Sequence, residues 1–143
     1  MILKWKTPAG DLFGEVQGNR LLWCDFEERD ALAADVRIED LNIVLDGTPF
    51  QVEVWSVLQT IPEGEVWTYK DIAKALGRGG AAQAVGQAVG ANKFALKVPC
   101  HRVVGVSKLG GYKWGLDKKK ALLKSEGVTF DSNEAHCMRG PLA

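Results

Sequence analysis

The stretch Val98-Pro99-Cys100-His101-Arg102-Val103-Val104 constrains this chain more than any other. Pro99 fixes its own φ and restrains Val98, so the backbone entering Cys100 is stiff. Read as an extended run, neighbouring side chains point to opposite faces. His101 is therefore expected to reach the sulfur through a bend or a bridging water rather than directly. An isolated Cys-His pair is more often a small buried hydrophobe beside a satisfied imidazole than a reactive centre. The rest of the chain weighs against that bland reading.

With 143 residues and 46% hydrophobic content, the chain can bury a real core in one ordinary domain or two subdomains. We expect a small β-rich N-terminal subdomain (1–46), a site-bearing domain (47–130) and a tail (131–143). Formal charge is zero but uneven. Residues 1–46 hold five basic and ten acidic groups, whereas Thr68 to Lys124 holds twelve Lys/Arg against Asp71 and Asp117. That second stretch, at a net +10, suits a polyanion partner. Three cysteines (Cys24, Cys100, Cys137) without CxxC spacing argue against a disulfide framework or a zinc finger. With two histidines, no metal and no cofactor are expected; Cys137 beside His136 is a weak signal. No apolar run approaches membrane length and no leader opens the chain, so the expected setting is reducing and intracellular, cytoplasmic or at the nucleoid or nucleus.

The expected fold class is α+β: a small antiparallel β-rich part followed by a mostly helical domain with a helix-turn-helix. Leu3-Lys4-Trp5-Lys6 alternates, and turns at Pro8-Ala9-Gly10 and Gly18-Asn19 separate three strands. The acidic stretch 27–46 is ambiguous, with a short helix expected near Ala31–Ala34. Phe50, Val54, Leu58 and Ile61 recur at helical spacing after Pro49, predicting a helix over about 49–60. Thr68 is a candidate N-cap for a helix reaching Leu76, and Ala81 to Ala91 reads as another beyond Gly77-Arg78-Gly79-Gly80. That helix has few side chains long enough to read major-groove base edges, which fits a minor-groove or shape-only mode better. Phe94 to Val98 reads as extended, 105–112 as a flexible loop, and Leu116 to Ser125 as a helix with Lys118-Lys119-Lys120 facing solvent.

Pro99-Cys100-His101-Arg102-Val103-Val104 resembles the active-site signature of the O6-alkylguanine-DNA alkyltransferases (methylated-DNA–protein-cysteine methyltransferases). So do Phe50-Gln51-Val52-Glu53-Val54-Trp55, Ile61-Pro62-Glu63-Gly64, Tyr69, Ala84-Val85-Gly86, Asn92 and Gly111-Tyr112-Lys113-Trp114-Gly115, in the same order, over about Thr48 to Gly127. The resemblance implies a DNA-repair protein acting as a monomer on double-stranded DNA. It would flip O6-alkylguanine, and O4-alkylthymine as a second substrate, into a pocket and take the alkyl group on its own cysteine once. By the same resemblance Cys100 is the nucleophile, His101 and Glu126 form a relay to it through water, and Asn92 braces the turn before it. Tyr69 would donate to the leaving guanine. DNA and base contacts would come from Ala82, Gln83, Ala84, Tyr69, Arg102, Val103, Tyr112 and Lys113. The chemistry fits: a free thiol titrates near ~8.5 and needs a base, and a carboxylate behind an imidazole fixes its tautomer. The rival reading is a non-catalytic alkyltransferase-like protein that binds damaged DNA. In those relatives the cysteine is replaced, so Cys100 speaks against it.

The family usually places an arginine on the second helix to fill the space left by the flipped base; Gln83 stands there. Gln lacks the charge and the fork of Arg. Gln83→Arg is expected to raise the rate of repair on duplex DNA, and equal single-turnover rates for the two proteins would remove Gln83 from the argument.

Overall fold

Alternation of apolar and polar residues at the start of the chain produces a sheet with one buried face. In the computed structural model, which describes residues 1–106 and 108–129, β1 (Ile2–Thr7), β2 (Gly10–Gln17) and β3 (Arg20–Asp25) form an antiparallel meander. Leu3, Leu12, Leu21 and Cys24 share the inward face. Two short strands widen the sheet in parallel register, β4 (Leu32–Ala33) beside β1 and β5 (Asn42–Ile43) beside β3. The sheet is therefore mixed. The helix expected near Ala31–Ala34 is replaced by β4. Four residues are too few to nucleate a helix, and the open edge of β1 offers them backbone partners instead.

The first helix, α1 (Pro49–Leu58), ends two residues short of the predicted Thr60. A capping box opens it: Gln51 N–H donates to Thr48 Oγ1 at 3.1 Å and Thr48 N–H to Gln51 Oε1 at 3.0 Å. β6 (Trp67–Thr68) leads into α2 (Tyr69–Ala75), where Thr68 and Asp71 repeat the reciprocal cap at 3.1 and 2.8 Å. α3 (Ala82–Gly90) turns Val85, Ala88 and Val89 inward and leaves Gln83, Ala84, Gln87 and Gly90 exposed. Trp55 Nε1 donates to the Ala88 carbonyl at 2.8 Å and ties α1 to α3. β7 (Val103–Val104) pairs in parallel with β6. Helix α4 (Leu116–Ser125) closes the described chain.

A single hydrophobic cluster joins Leu12, Leu21, Cys24 and Phe26 of the N-terminal part to Val54, Trp55, Leu58, Val85, Val98 and Leu122. The fold is α+β, as the sequence implies, and sheet and helices share one core. Among the described residues no helix is long and apolar enough to cross a membrane. The expected tail, with His136 and Cys137, lies outside the described residues.

Thr68 caps the helix that begins with Tyr69, so its loss should register as stability. Thr68→Ala is expected to cost about 1 kcal/mol, read as a lower urea midpoint at unchanged slope.

Candidate active site

The segment between α3 and β7 is a series of tight turns, not the extended run predicted for Phe94–Val98. Lys97 N–H donates to the Ala95 carbonyl at 2.8 Å around Leu96, whose φ is 69°, and Cys100 N–H donates to the Val98 carbonyl at 2.7 Å around Pro99. Pro99, at φ −78° and ψ 63°, matches the inverse γ-turn minimum. Leu96 is the only non-glycine residue at positive φ among the described residues, a conformation costing of order 1–3 kcal/mol unless its surroundings impose it.

Two sets of bonds impose it. The first comes from the sheet: Cys24 N–H donates to the Lys93 carbonyl and Ala95 N–H to the Cys24 carbonyl, both at 3.0 Å. The second comes from the buried side chain of Asn92. Its Oδ1 accepts from Phe94 N–H at 2.9 Å, while its Nδ2 donates to the Val98 carbonyl at 3.0 Å, the Phe94 carbonyl at 3.3 Å and Cys100 Sγ at 3.3 Å.

Cys100, His101 and Arg102 form one 3-10 turn. Neighbouring side chains in such a turn diverge by about a third of a rotation. His101 accordingly points away from the sulfur toward α4, and its Nε2 lies 2.9 Å from Glu126 Oε2. The carboxylate can only accept, so Nε2 carries the proton and Nδ1 keeps a lone pair. Nδ1 is buried and has no hydrogen-bond partner among the described residues, so it does not bond the sulfur directly. Arg102 donates from Nε to Glu126 Oε1 and from NH2 to Oε2, each at 2.9 Å, and from NH1 to the Ile61 carbonyl at 2.8 Å. Arg102, for which the resemblance implies a DNA contact, uses its guanidinium within the chain to fix Glu126, because the planar fork matches the carboxylate.

Burial pushes the Cys100 thiol up to about 11, against the pull of the Asn92 donor and the charges of Lys119 and Lys113. Burial lowers His101 despite the bond to Glu126. Burial would raise Glu126, but the bonds from His101 and Arg102 outweigh it and hold the carboxyl at about 2. At neutral pH the row therefore reads thiol, neutral imidazole, carboxylate, and the 2.9 Å His101–Glu126 contact is a hydrogen bond to a neutral ring. Burial, and then proximity to Cys100, raise the Tyr69 phenol.

Lys119, which the Lys-Lys-Lys run places on the solvent face of α4, is fully buried. Lys119, Leu122, Leu123 and Glu126 recur at helical spacing and share one inward face. Nζ of Lys119 donates to the Val103 carbonyl at 2.6 Å and the Gly111 carbonyl at 2.8 Å, so it fastens the loop before α4 to β7. Gly110, at φ 79°, lets that loop approach: a Cβ there would stand 3.2 Å from Tyr69 Oη and 3.5 Å from Lys119 Nζ. Rings fasten the far end of the loop, with Tyr112 and Trp114 edge-to-face at 5.3 Å and Phe26 against Trp114 at 6.3 Å. The exit of the loop expected to be flexible is thus packed.

A cavity of about 180 Å³ opens over Cys100, lined by Tyr69, Gly86, Val89, Gly90, Cys100, Gly111, Tyr112 and Lys113. That is below the ~300–1,000 Å³ of pockets for drug-sized ligands and suits one compact planar group. The structure brings Cys100, Tyr69, Tyr112 and Lys113 together on its walls, sets Asn92 against the sulfur, and joins His101, the next residue, to Glu126. Ala82, Gln83 and Ala84 lie at the start of α3 and do not line it; nor does Val103, which is buried in β7. Cys24 is sealed in the core, where its Sγ donates to the Ala95 carbonyl at 3.1 Å. Among the described residues no cluster of His, Cys, Asp or Glu could hold a metal.

The sequence profile of the 6-O-methylguanine DNA methyltransferase DNA-binding domain matches residues 49–128. The methylated-DNA–protein-cysteine methyltransferase of Mycolicibacterium paratuberculosis is 53% identical over 88 residues, 61% of this chain and 53% of the relative. The chain thus spans a little over half the length of the curated relatives it matches. Mycobacterium tuberculosis OGT, crystallised in complex with DNA, superposes with TM-score 0.76 at 35% identity, over 87% of this chain and 92% of that one. S. pombe Atl1, in complex with damaged DNA containing O6-carboxymethylguanine, superposes with TM-score 0.55 at 27% identity, over 66% and 93%.

A carboxyl held at about 2 against an ordinary 4.5 stabilises the fold fully above pH 4.5, and that contribution is lost as pH falls toward 2. Glu126→Gln is expected to lower stability at neutral pH and to flatten the acid loss between those values, read from urea midpoints at each pH. A variant with the acid slope of the wild type would show that the carboxylate is not held as described.

Proposed function

The chain belongs to the methylated-DNA–protein-cysteine methyltransferase family, and from that premise we propose that it is a single-use DNA-repair protein that moves the alkyl group of O6-alkylguanine onto Cys100. The observation that carries this is the thiol in the wall of a base-sized cavity, with a neutral imidazole and a clamped carboxylate behind it.

With the thiol at about 11, roughly one molecule in 10⁴ is thiolate at pH 7, so transfer needs a base. His101 supplies it. Its bare Nδ1 takes the thiol proton through one bridging water, and Glu126 steadies the imidazolium through Nε2. Sγ attacks the carbon on O6, the C–O bond breaks, and the electron pair passes to the purine. Tyr69, on the cavity wall with its hydroxyl near Gly110, donates to the leaving guanine. The guanine ends with the proton the thiol gave up, and the thioether has no easy hydrolytic exit, so the protein acts once.

Reaching the cavity requires the nucleotide to leave the duplex. The exposed face of α3, with Gln83, Ala84, Gln87 and Gly90, is small enough to lie in the minor groove, with Gln83 filling the vacated stack. α2 and α3 act there as the helix-turn-helix, and the exposed Lys70, Lys74, Arg78 and Lys93 on and around them face phosphate. Residues 47–130 carry the site and 1–46 support it. Every group invoked comes from one chain, so one copy suffices.

Incubation with duplex DNA holding O6-methylguanine is expected to add one methyl group to Cys100, seen by peptide mass spectrometry. Cys100→Ser should abolish the uptake and leave DNA binding largely intact. Methyl uptake by that variant would remove Cys100 as the nucleophile, and tight binding by the wild type with unchanged mass would instead describe a damage-binding clamp.

A further inference from the structure

Among the side chains lining the cavity, one carries a charge. Lys113 stands exposed at the mouth, and its Nζ donates to the Asn92 carbonyl at 3.3 Å while lying 5.5 Å from the centre of the Trp114 ring. The same asparagine holds Cys100 Sγ at 3.3 Å through its side chain. The ammonium and the sulfur are thus tethered to opposite ends of one buried residue. An ammonium has three N–H directions, and a single 3.3 Å bond leaves donors for a ligand. The remaining walls, four of them glycine or valine, make no demand on the alkyl group beyond its size.

From this we infer that Lys113 selects acidic O6 adducts, in which the carbon attacked by sulfur bears a carboxylate, carboxymethyl being the smallest. This inference rests on the alkyl transfer proposed above. In such a substrate the attacking sulfur becomes anionic next to a carboxylate, a like-charge approach in a partly buried site. A cation beside both offsets that repulsion through a charge-assisted hydrogen bond, and the pull of Lys113 on the Cys100 thiol agrees with its nearness. The step balances as for methyl. An S–CH₂ bond forms and the CH₂–O6 bond breaks. The electron pair goes to the purine with the proton from the thiol, and S-carboxymethylcysteine remains. A methyl adduct offers Lys113 nothing to bind.

Single-turnover rates are measured by mass spectrometry on matched duplexes holding O6-methylguanine or O6-carboxymethylguanine, for wild type, Lys113→Met and Lys113→Arg. The ratio of carboxymethyl to methyl rates is expected to fall about tenfold in Lys113→Met and to be largely kept in Lys113→Arg. Methyl transfer by each variant shows that it folds. Equal slowing on both substrates would make Lys113 a general contact to DNA phosphate or to the thiolate, and would overturn the inference, as would an unchanged ratio. If wild type takes up neither group, the alkyl-transfer reading itself fails; methyl transfer with an unmoved ratio sinks only the role of Lys113.

Discussion

The carboxamide of Asn92 is the interaction on which the rest of the site depends. It is buried, and its amide hydrogens meet Val98, Phe94 and Cys100 Sγ while its oxygen takes the Phe94 N–H. Its own N–H closes the last turn of α3 on Val89, and its carbonyl receives Lys113. An apolar side chain there would leave the buried Phe94 N–H unpaired, at a cost of about 1–3 kcal/mol, and would take from the Val98 and Phe94 carbonyls the second of their two donors. The residue therefore sets the end of a helix, the path of the turn, the environment of the thiol and the position of a cation.

Behind the sulfur, charge is arranged so that one anion is permanent and fully engaged. Breaking a buried ion pair costs about 3–5 kcal/mol because it strands a charge. Glu126 avoids that with three donors on two oxygens, from Arg102 twice and His101 once. Its position is fixed before any proton moves, which is what the proposed relay through His101 requires. Lys119 plays the matching part on the other side, a buried cation satisfied by two carbonyls, and its charge favours the thiolate. A poised neutral pair of thiol and imidazole results, held between opposite charges.

Local chemistry made part of this legible. The pairs Thr48 with Gln51 and Thr68 with Asp71 are capping boxes with a physical reason to start helices where they do, and Pro99 fixes one of the two angles of the turn before Cys100. What depended on distant partners was not legible. β4 and β5 exist because the edges of β1 and β3 accept them. A Lys-Lys-Lys run reads as solvated, yet counting three and four residues back from Leu122 and Leu123 puts Lys119 on their buried face, and that signal was available. Arg102 beside His101 reads as a nucleic-acid contact until its acceptor, 24 residues further on, is known. The positive φ of Leu96 has no local signature at all.

That last residue explains why the N-terminal sheet belongs to the site although none of its residues lines the cavity. Leu96 sits between two clamps: the sheet holds Lys93 and Ala95 through the backbone of Cys24, and Asn92 holds Phe94 and Val98 from the helix side. Remove either and the turn can relax toward an ordinary φ, carrying Pro99 and the sulfur with it. Gly14, opposite Cys24, shows how closely β2 and β3 must pack to keep the first clamp in place. A Cβ on it would lie 2.8 Å from the Trp23 carbonyl and 3.2 Å from Cys24 Cβ. Strain of a few kcal/mol at one residue is thus met by hydrogen bonds from both halves of the fold. The sulfur stays aimed because the sheet and α3 constrain the same turn.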